Sequence, residues 1–114
     1  ITTKHKLLNS MVNTIKKLFG FGPKINFAEV MNSGAVIIDV RTKKEFQEGH
    51  IIKSTNIPLD TLSNHLSRLK DKNQPIITCC ASGMRSASAK RILKAGGYKV
   101  VYNGGAWNSL QSKI

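Results

Sequence analysis

The stretch Pro75-Ile76-Ile77-Thr78-Cys79-Cys80-Ala81-Ser82-Gly83-Met84-Arg85-Ser86 sets an apolar run directly before a loop of small residues. Residues 76–79 have the β-branched character of a buried strand, opened by Pro75. Ser86 is expected to cap and begin a helix whose inward face includes Ala89, Ile92 and Leu93. Gly96-Gly97 ends that helix. A strand, a tight loop and a helix in succession are the repeating unit of an α/β sheet.

The same alternation continues on both sides. Residues 27–31 form a short helical segment closed by Asn32-Ser33-Gly34. Ala35-Val36-Ile37-Ile38-Asp39-Val40 is a second buried strand. Thr42, with Glu45 three residues on, predicts a capping box for a short helix that Gly49 ends. Residues 54–57 form a short strand stopped by Pro58. Leu59, Leu62, Leu66 and Leu69 mark one face of a further helix. Residues 98–102 are the last strand, and Gly104-Gly105 turns the chain before Trp107. Strands separated by helices imply a single α/β domain with a mostly parallel sheet and helices on both faces. Ligands in such sheets bind beyond the carboxyl ends of the strands, here the loop after Cys79.

With 114 residues the chain has room for one ordinary core. Hydrophobic residues at 40% and charged residues at 21% exclude global disorder. No apolar run reaches the length of a membrane span. Cys79 and Cys80 are adjacent, which excludes a disulfide framework and the usual zinc spacings, so no metal is expected. The net charge of +12 comes from 18 basic and 6 acidic residues. Residues 1–24 carry five lysines and no acid; the rest of the charge is spread over residues 25–114. The bases are mostly scattered lysines with no nucleic-acid signature, so nucleic-acid binding is not expected. The field they create favours small anions and acidic proteins.

The basic head is patterned too. Leu7, Leu8, Met11, Val12, Ile15, Leu18 and Phe19 fall on one helical stripe, with Lys4, Lys6, Lys16 and Lys17 largely off it. The expected organisation is therefore a basic amphipathic extension over 1–24 and a folded domain over 25–114. Docking on the domain or disorder is favoured for the head over an anionic membrane surface. It lacks the features of a secretory signal, so a cytoplasmic location is expected.

The loop after the strand carries the chemistry. Ala81, Ser82 and Gly83 leave backbone N–H groups free to surround one point, and the start of a helix adds donors and positive potential. Arg85 adds a permanent cation with a fixed donor fork. A cysteine at the mouth of this cradle has its thiolate stabilised. Counted from Cys80, the loop is C-x4-R; counted from Cys79, it is C-x5-R. Cys79 completes the apolar strand, where packing is its favoured role.

At these residues the chain resembles the rhodanese-like domain family of sulfurtransferases. Cys80-Ala81-Ser82-Gly83-Met84-Arg85-Ser86 is similar to the family's active-site loop, C-x-x-G-x-R-S. Asp39-Val40-Arg41 with Glu45-Phe46, Gly49-His50-Ile51 and Asn56-Ile57-Pro58 is similar to its N-terminal signature. Gly104-Gly105 with Trp107 resembles its C-terminal one. The resemblance covers roughly residues 25–110 and implies a single domain, of the bacterial single-domain type, around a five-stranded parallel sheet. It also implies that Cys80 carries sulfur as a covalent persulfide, with no cofactor. The donor would be thiosulfate or another sulfane sulfur, and the acceptor cyanide, a thiol, thioredoxin or a protein cysteine. Ala81, Ser82, Gly83, Met84, Arg85 and Ser86 would bind the substrate. A monomer is expected.

The C-x5-R spacing from Cys79 resembles cysteine phosphatases and arsenate-reducing domains, and a non-catalytic binding module is the other alternative. Gly83, three residues after Cys80, favours the sulfurtransferase pattern. Ester hydrolysis also needs a general acid that no residue obviously supplies. Asp39 and Arg41 are expected to support the site as a structural ion pair or loop hydrogen bond. His50 reads as a brace, His65 as solvated and Trp107 as a core anchor.

Overall fold

The computed structural model describes residues 24–114. The amphipathic helix expected in the head lies outside the described residues.

The described chain runs α1 (Phe27–Asn32), β1 (Val36–Asp39), α2 (Lys43–Glu48), β2 (Thr55–Asn56), a 3-10 helix (Leu59–Arg68), β3 (Ile76–Cys80), α3 (Met84–Ala95), β4 (Val101–Ala106) and α4 (Trp107–Gln111). The four strands pair in the order β2-β1-β3-β4, all parallel. Val36 lies opposite Ile76 and Asp39 opposite Cys79, so β1 and β3 start together and β3 runs one residue further, to Cys80. Among the described residues no helix is long and apolar enough to cross a membrane.

Side chains alternate across the sheet, and this divides the core in two. Ile38, Val40, Ile76 and Cys80 face a cluster with Ile57, Leu62, Ala89, Leu93, Tyr98 and Val101. Ile37, Ile77 and Cys79 face the other way, against Phe27, Ala35, Ile51 and Leu110. The two adjacent cysteines therefore belong to opposite faces.

Most elements form where the sequence placed them. Thr42 Oγ1 accepts from the Glu45 N–H at 3.2 Å, and Glu45 Oε1 accepts from the Thr42 N–H at 3.1 Å. This is the capping box, and Gly49 ends α2. Asn26 caps α1 through the Glu29 N–H.

Four departures have local causes. The sheet has four strands among the described residues rather than five, and residues 24–26, ahead of α1, join no strand. The Leu59–Arg68 segment winds as a 3-10 helix. Its leucines, three, four and three residues apart, suit either winding, and its Asp, Thr, Ser and Asn residues compete for backbone groups; Thr61 Oγ1, for instance, donates to the Pro58 carbonyl at 3.2 Å. His65 is half-buried rather than solvated, its Nδ1 2.8 Å from the Thr61 carbonyl.

The last strand begins at Val101, not at residue 98. The left-handed Gly97 (φ 95°) turns Tyr98 into the core, where its hydroxyl meets the carbonyls of Leu66 and Leu69. Gly104-Gly105 then lies inside β4 rather than in a turn. A side chain at Gly104 would fall 2.8 Å from both the Thr78 carbonyl and Ile77 Cγ2, so only glycine permits this close approach of β4 to β3.

Candidate active site

β3 ends at Cys80, α3 starts at Met84, and the three residues between them form the loop. The helix is capped by Gly83, in the left-handed region at φ 99°, and not by Ser86 as expected. A non-glycine residue is strained there. A side chain at Gly83 would also meet the Gly105 Cα at 3.4 Å, because the loop rests on β4.

Cys80 is fully buried, with its sulfur at the focus of the loop. The Gly83 N–H donates to Sγ at 3.0 Å and the Ser86 N–H at 3.4 Å. The Ser86 hydroxyl lies 3.4 Å from Sγ. It accepts a hydrogen bond from the thiol, and its one proton, otherwise donated to Asn103, can turn to the sulfur of the thiolate. Burial pushes the Cys80 thiol up; the Ser86 hydroxyl and the N–H groups of Ser86, Gly83 and Ser82 pull it down further, leaving it below the ordinary thiol value. Of the loop amides expected at the sulfur, those of Gly83 and Ser86 have hydrogen-bond geometry to it. Ala81, Ser82 and Met84 form the exposed rim.

Cys79 has the opposite environment. It is fully buried in the other cluster, and desolvation pushes its thiol up to about 12, with Asp39 adding to the rise. It is a packed thiol with no thiolate at neutral pH.

Two residues that sequence reasoning did not assign here hold the loop. Asn103, on β4, donates through Nδ2 to the Gly83 carbonyl at 3.2 Å. Its Oδ1 accepts from the Ser86 hydroxyl at 2.6 Å and from the Gly105 N–H at 2.9 Å. A register shift between Thr78 and Cys80 in the β3–β4 ladder accompanies this arrangement. Glu45 is the second. Both its oxygens accept from the Arg85 guanidinium, at 2.7 and 2.9 Å. Arg85 holds the Glu45 carboxyl down to about 2, with further help from the Thr42 N–H. The pair is therefore expected to weaken as pH falls towards 2. Arg85 was expected as a cation for the anionic donor and an anchor for the loop. The structure places its guanidinium on α2, where it ties the start of α3 to the capping box.

Asp39 and Arg41 form the structural pair. Arg41 donates from Nε and one terminal nitrogen to the Asp39 carboxylate at 2.7 to 3.1 Å. It also donates to the carbonyls of Gly49 and Glu45. Its guanidinium carbon lies 4.7 Å from the centre of the Trp107 ring. Asn56 donates to the carbonyls of Asp39 and Arg41, completing the clasp. His50 is the expected brace, with Nδ1 2.7 Å from the Phe46 carbonyl and its ring stacked on Phe46.

Ser86→Ala should raise the Cys80 thiol, because it removes a donor that stabilises the thiolate. The pH dependence of Cys80 alkylation by iodoacetamide measures this directly. Its inflection is expected at higher pH in the variant than in the wild type; an unmoved inflection would show that the backbone amides suffice.

The arrangement can hold a thiolate, or an anionic sulfur attached to it, at the start of a helix. A family model described as "Rhodanese-like domain" matches residues 26–113. The chain is similar to the "Rhodanese domain-containing protein CG4456" of Drosophila melanogaster, at 42% identity over 68% of this chain and 82% of that protein. It is also similar to "Thiosulfate sulfurtransferase PspE" of Escherichia coli, at 36% identity over 60% of this chain and 66% of that protein. A solved "rhodanese with anions from E. coli" matches with a TM-score of 0.63 and 33% identity, over 66% of this chain and 89% of that one. Relatives with a different printed activity also match: the chain spans 24% and 21% of two tRNA uridine(34) hydroxylases.

Proposed function

Because this chain belongs to the rhodanese-like domain family, we propose that it is a sulfurtransferase working through a persulfide on Cys80. The observation that carries the reading is the Cys80 sulfur, held by the amides of Gly83 and Ser86 at the start of α3 with its thiol below the ordinary value.

The Cys80 thiolate attacks the outer sulfur of a donor such as thiosulfate. A new S–S bond forms at Cys80, the donor's S–S bond breaks, and sulfite leaves with its electron pair. Sulfite is a stable anion and needs no general acid. The negative persulfide then occupies the amide cradle. An acceptor nucleophile, cyanide or a thiolate, attacks the outer sulfur, and the electron pair of the broken bond returns to Cys80. Asn103 and the Arg85–Glu45 pair position the loop throughout. No cofactor enters this cycle.

The phosphatase alternative requires Cys79, whose burial in the opposite cluster and raised thiol count against it. A binding module without chemistry has no use for a depressed thiol in an amide cradle.

Intact-protein mass spectrometry after incubation with thiosulfate tests the reading. One added sulfur atom is expected, mapping to Cys80 and removed by cyanide with formation of thiocyanate. A protein that takes up no sulfur, or takes it up on Cys79, would overturn the proposal.

A further inference from the structure

The charge of the domain is unevenly divided. Residues 25–71 carry six basic and six acidic side chains. Residues 72–114 carry seven basic side chains and no acid. The whole net charge of the domain thus falls on the half that builds β3, the sulfur loop, α3 and β4.

α3 concentrates this charge on one face. Ser86, Ala89 and Leu93 are buried beneath the helix. On its other side Met84, Ala87, Arg91 and Lys94 follow one another at helical spacing, with Lys90 alongside. Ala87, Lys90, Arg91, Lys94 and Asn103 line an open hollow of about 460 Å³. Among the described residues the carboxylate ion pairs are Arg41–Asp39 and Arg85–Glu45, so none of these three cations has a carboxylate partner there. The first 23 residues contain no acid to supply one. At the loop end of the same face stands Met84, 79% exposed. Asn103 connects the two ends, since it lines the hollow and also bonds Ser86 and the Gly83 carbonyl.

We infer that this face of α3 is a docking track for an acidic protein segment that presents a cysteine to the sulfur on Cys80. Met84 meets the apolar surroundings of the acceptor cysteine, while Lys90, Arg91 and Lys94 engage carboxylates farther along. From Met84 to Lys94 the helix rises about 15 Å, which an extended chain covers in about four or five residues. The partner's acidic run therefore lies about that far from its cysteine. A nucleic-acid strand fits less well, because α3 itself carries no aromatic side chain for bases to stack on.

The inference rests on the persulfide reading, and its chemistry balances. The partner thiolate forms a bond to the outer sulfur, the Cys80 S–S bond breaks, and its electron pair returns to Cys80. The partner leaves as the persulfide, with no external oxidant or reductant.

The test loads the full chain with thiosulfate and follows loss of the persulfide to a synthetic peptide. The peptide has one cysteine and a run of glutamates about four residues away; its control carries glutamines instead. The glutamate peptide is expected to react about tenfold faster at low salt, and the advantage should fade as salt rises. Combined Lys90→Glu, Arg91→Glu and Lys94→Glu should abolish the advantage while leaving the reaction with 2-mercaptoethanol within about twofold. Equal rates for the two peptides, or an advantage that survives the charge reversal, would overturn the inference. So would a single-stranded RNA that binds this face more tightly than the glutamate peptide. If the triple variant does not fold, Lys94→Glu alone and the salt series on the wild type decide. If thiosulfate loads no sulfur, the persulfide reading has failed, and peptide affinity by fluorescence anisotropy still decides the docking.

Discussion

Cys80→Ser should lower sulfur transfer from thiosulfate to cyanide by at least about a thousandfold while the protein remains folded. The reaction needs an anion that both attacks sulfur and leaves from it. A serine hydroxyl is essentially un-ionised at neutral pH, and its oxygen cannot form the persulfide. The substitution is small, and the amides of Gly83 and Ser86 that surround the sulfur accept an oxygen equally well as a hydrogen-bond partner. The loss is therefore expected in the chemistry and not in stability, which thermal unfolding by circular dichroism will separate. Cys79→Ala is the matching control. It trims a packed thiol from the other face and should keep most of the activity at a modest cost in stability. Serine is a poorer choice at that position, because its hydroxyl would be buried in an apolar cluster. Activity lost with Cys79 and retained without Cys80 would reverse the assignment.

Arg41→Ala has the largest expected effect on stability, about 3–5 kcal/mol. Asp39 is fully buried and Arg41 is 4% exposed. Removing the guanidinium leaves a carboxylate without its counter-charge and withdraws donors from the carbonyls of Gly49 and Glu45. Trp107 also loses the cation against its ring. Domains of this size have about 5–15 kcal/mol in total, so the variant should unfold at a much lower urea midpoint. Arg41→Lys keeps the charge but cannot reproduce the planar fork, and should fall between the two. A midpoint unchanged in Arg41→Ala would show that water replaces the guanidinium without penalty.

The elements legible in the sequence were those whose signal is local. The β-branched run at residues 35–40 can be little other than a buried strand, and Thr42 with Glu45 specifies a capping box within one turn. The cysteine loop was legible because small residues, an arginine and a helix start crowd into seven positions. The partners of that loop were not. Asn103 lies 17 residues from Ser86, and Glu45 lies 40 from Arg85, so only the fold brings them together. Gly104-Gly105 shows why the last strand was misplaced. A glycine pair signals a turn by its freedom, yet here Gly104 is needed for its lack of volume against Ile77, Thr78 and Leu110. The 3-10 winding of Leu59–Arg68 was hidden for a related reason: leucines at 59, 62, 66 and 69 suit either helix, and the polar residues between them decide.

The complete burial of Cys80 also bears on which of two sulfurs an incoming thiol can strike. Attack on the inner sulfur of a persulfide yields a mixed disulfide and releases hydrosulfide, a dead end that wastes the cargo. Attack on the outer sulfur delivers it. A sulfur bonded to Cys80 stands about 2 Å beyond Sγ, past the atom that the loop walls off. On the persulfide reading, the cradle would shield the sulfur that belongs to the protein and offer the one in transit. Shape, rather than reactivity, would choose between delivery and loss.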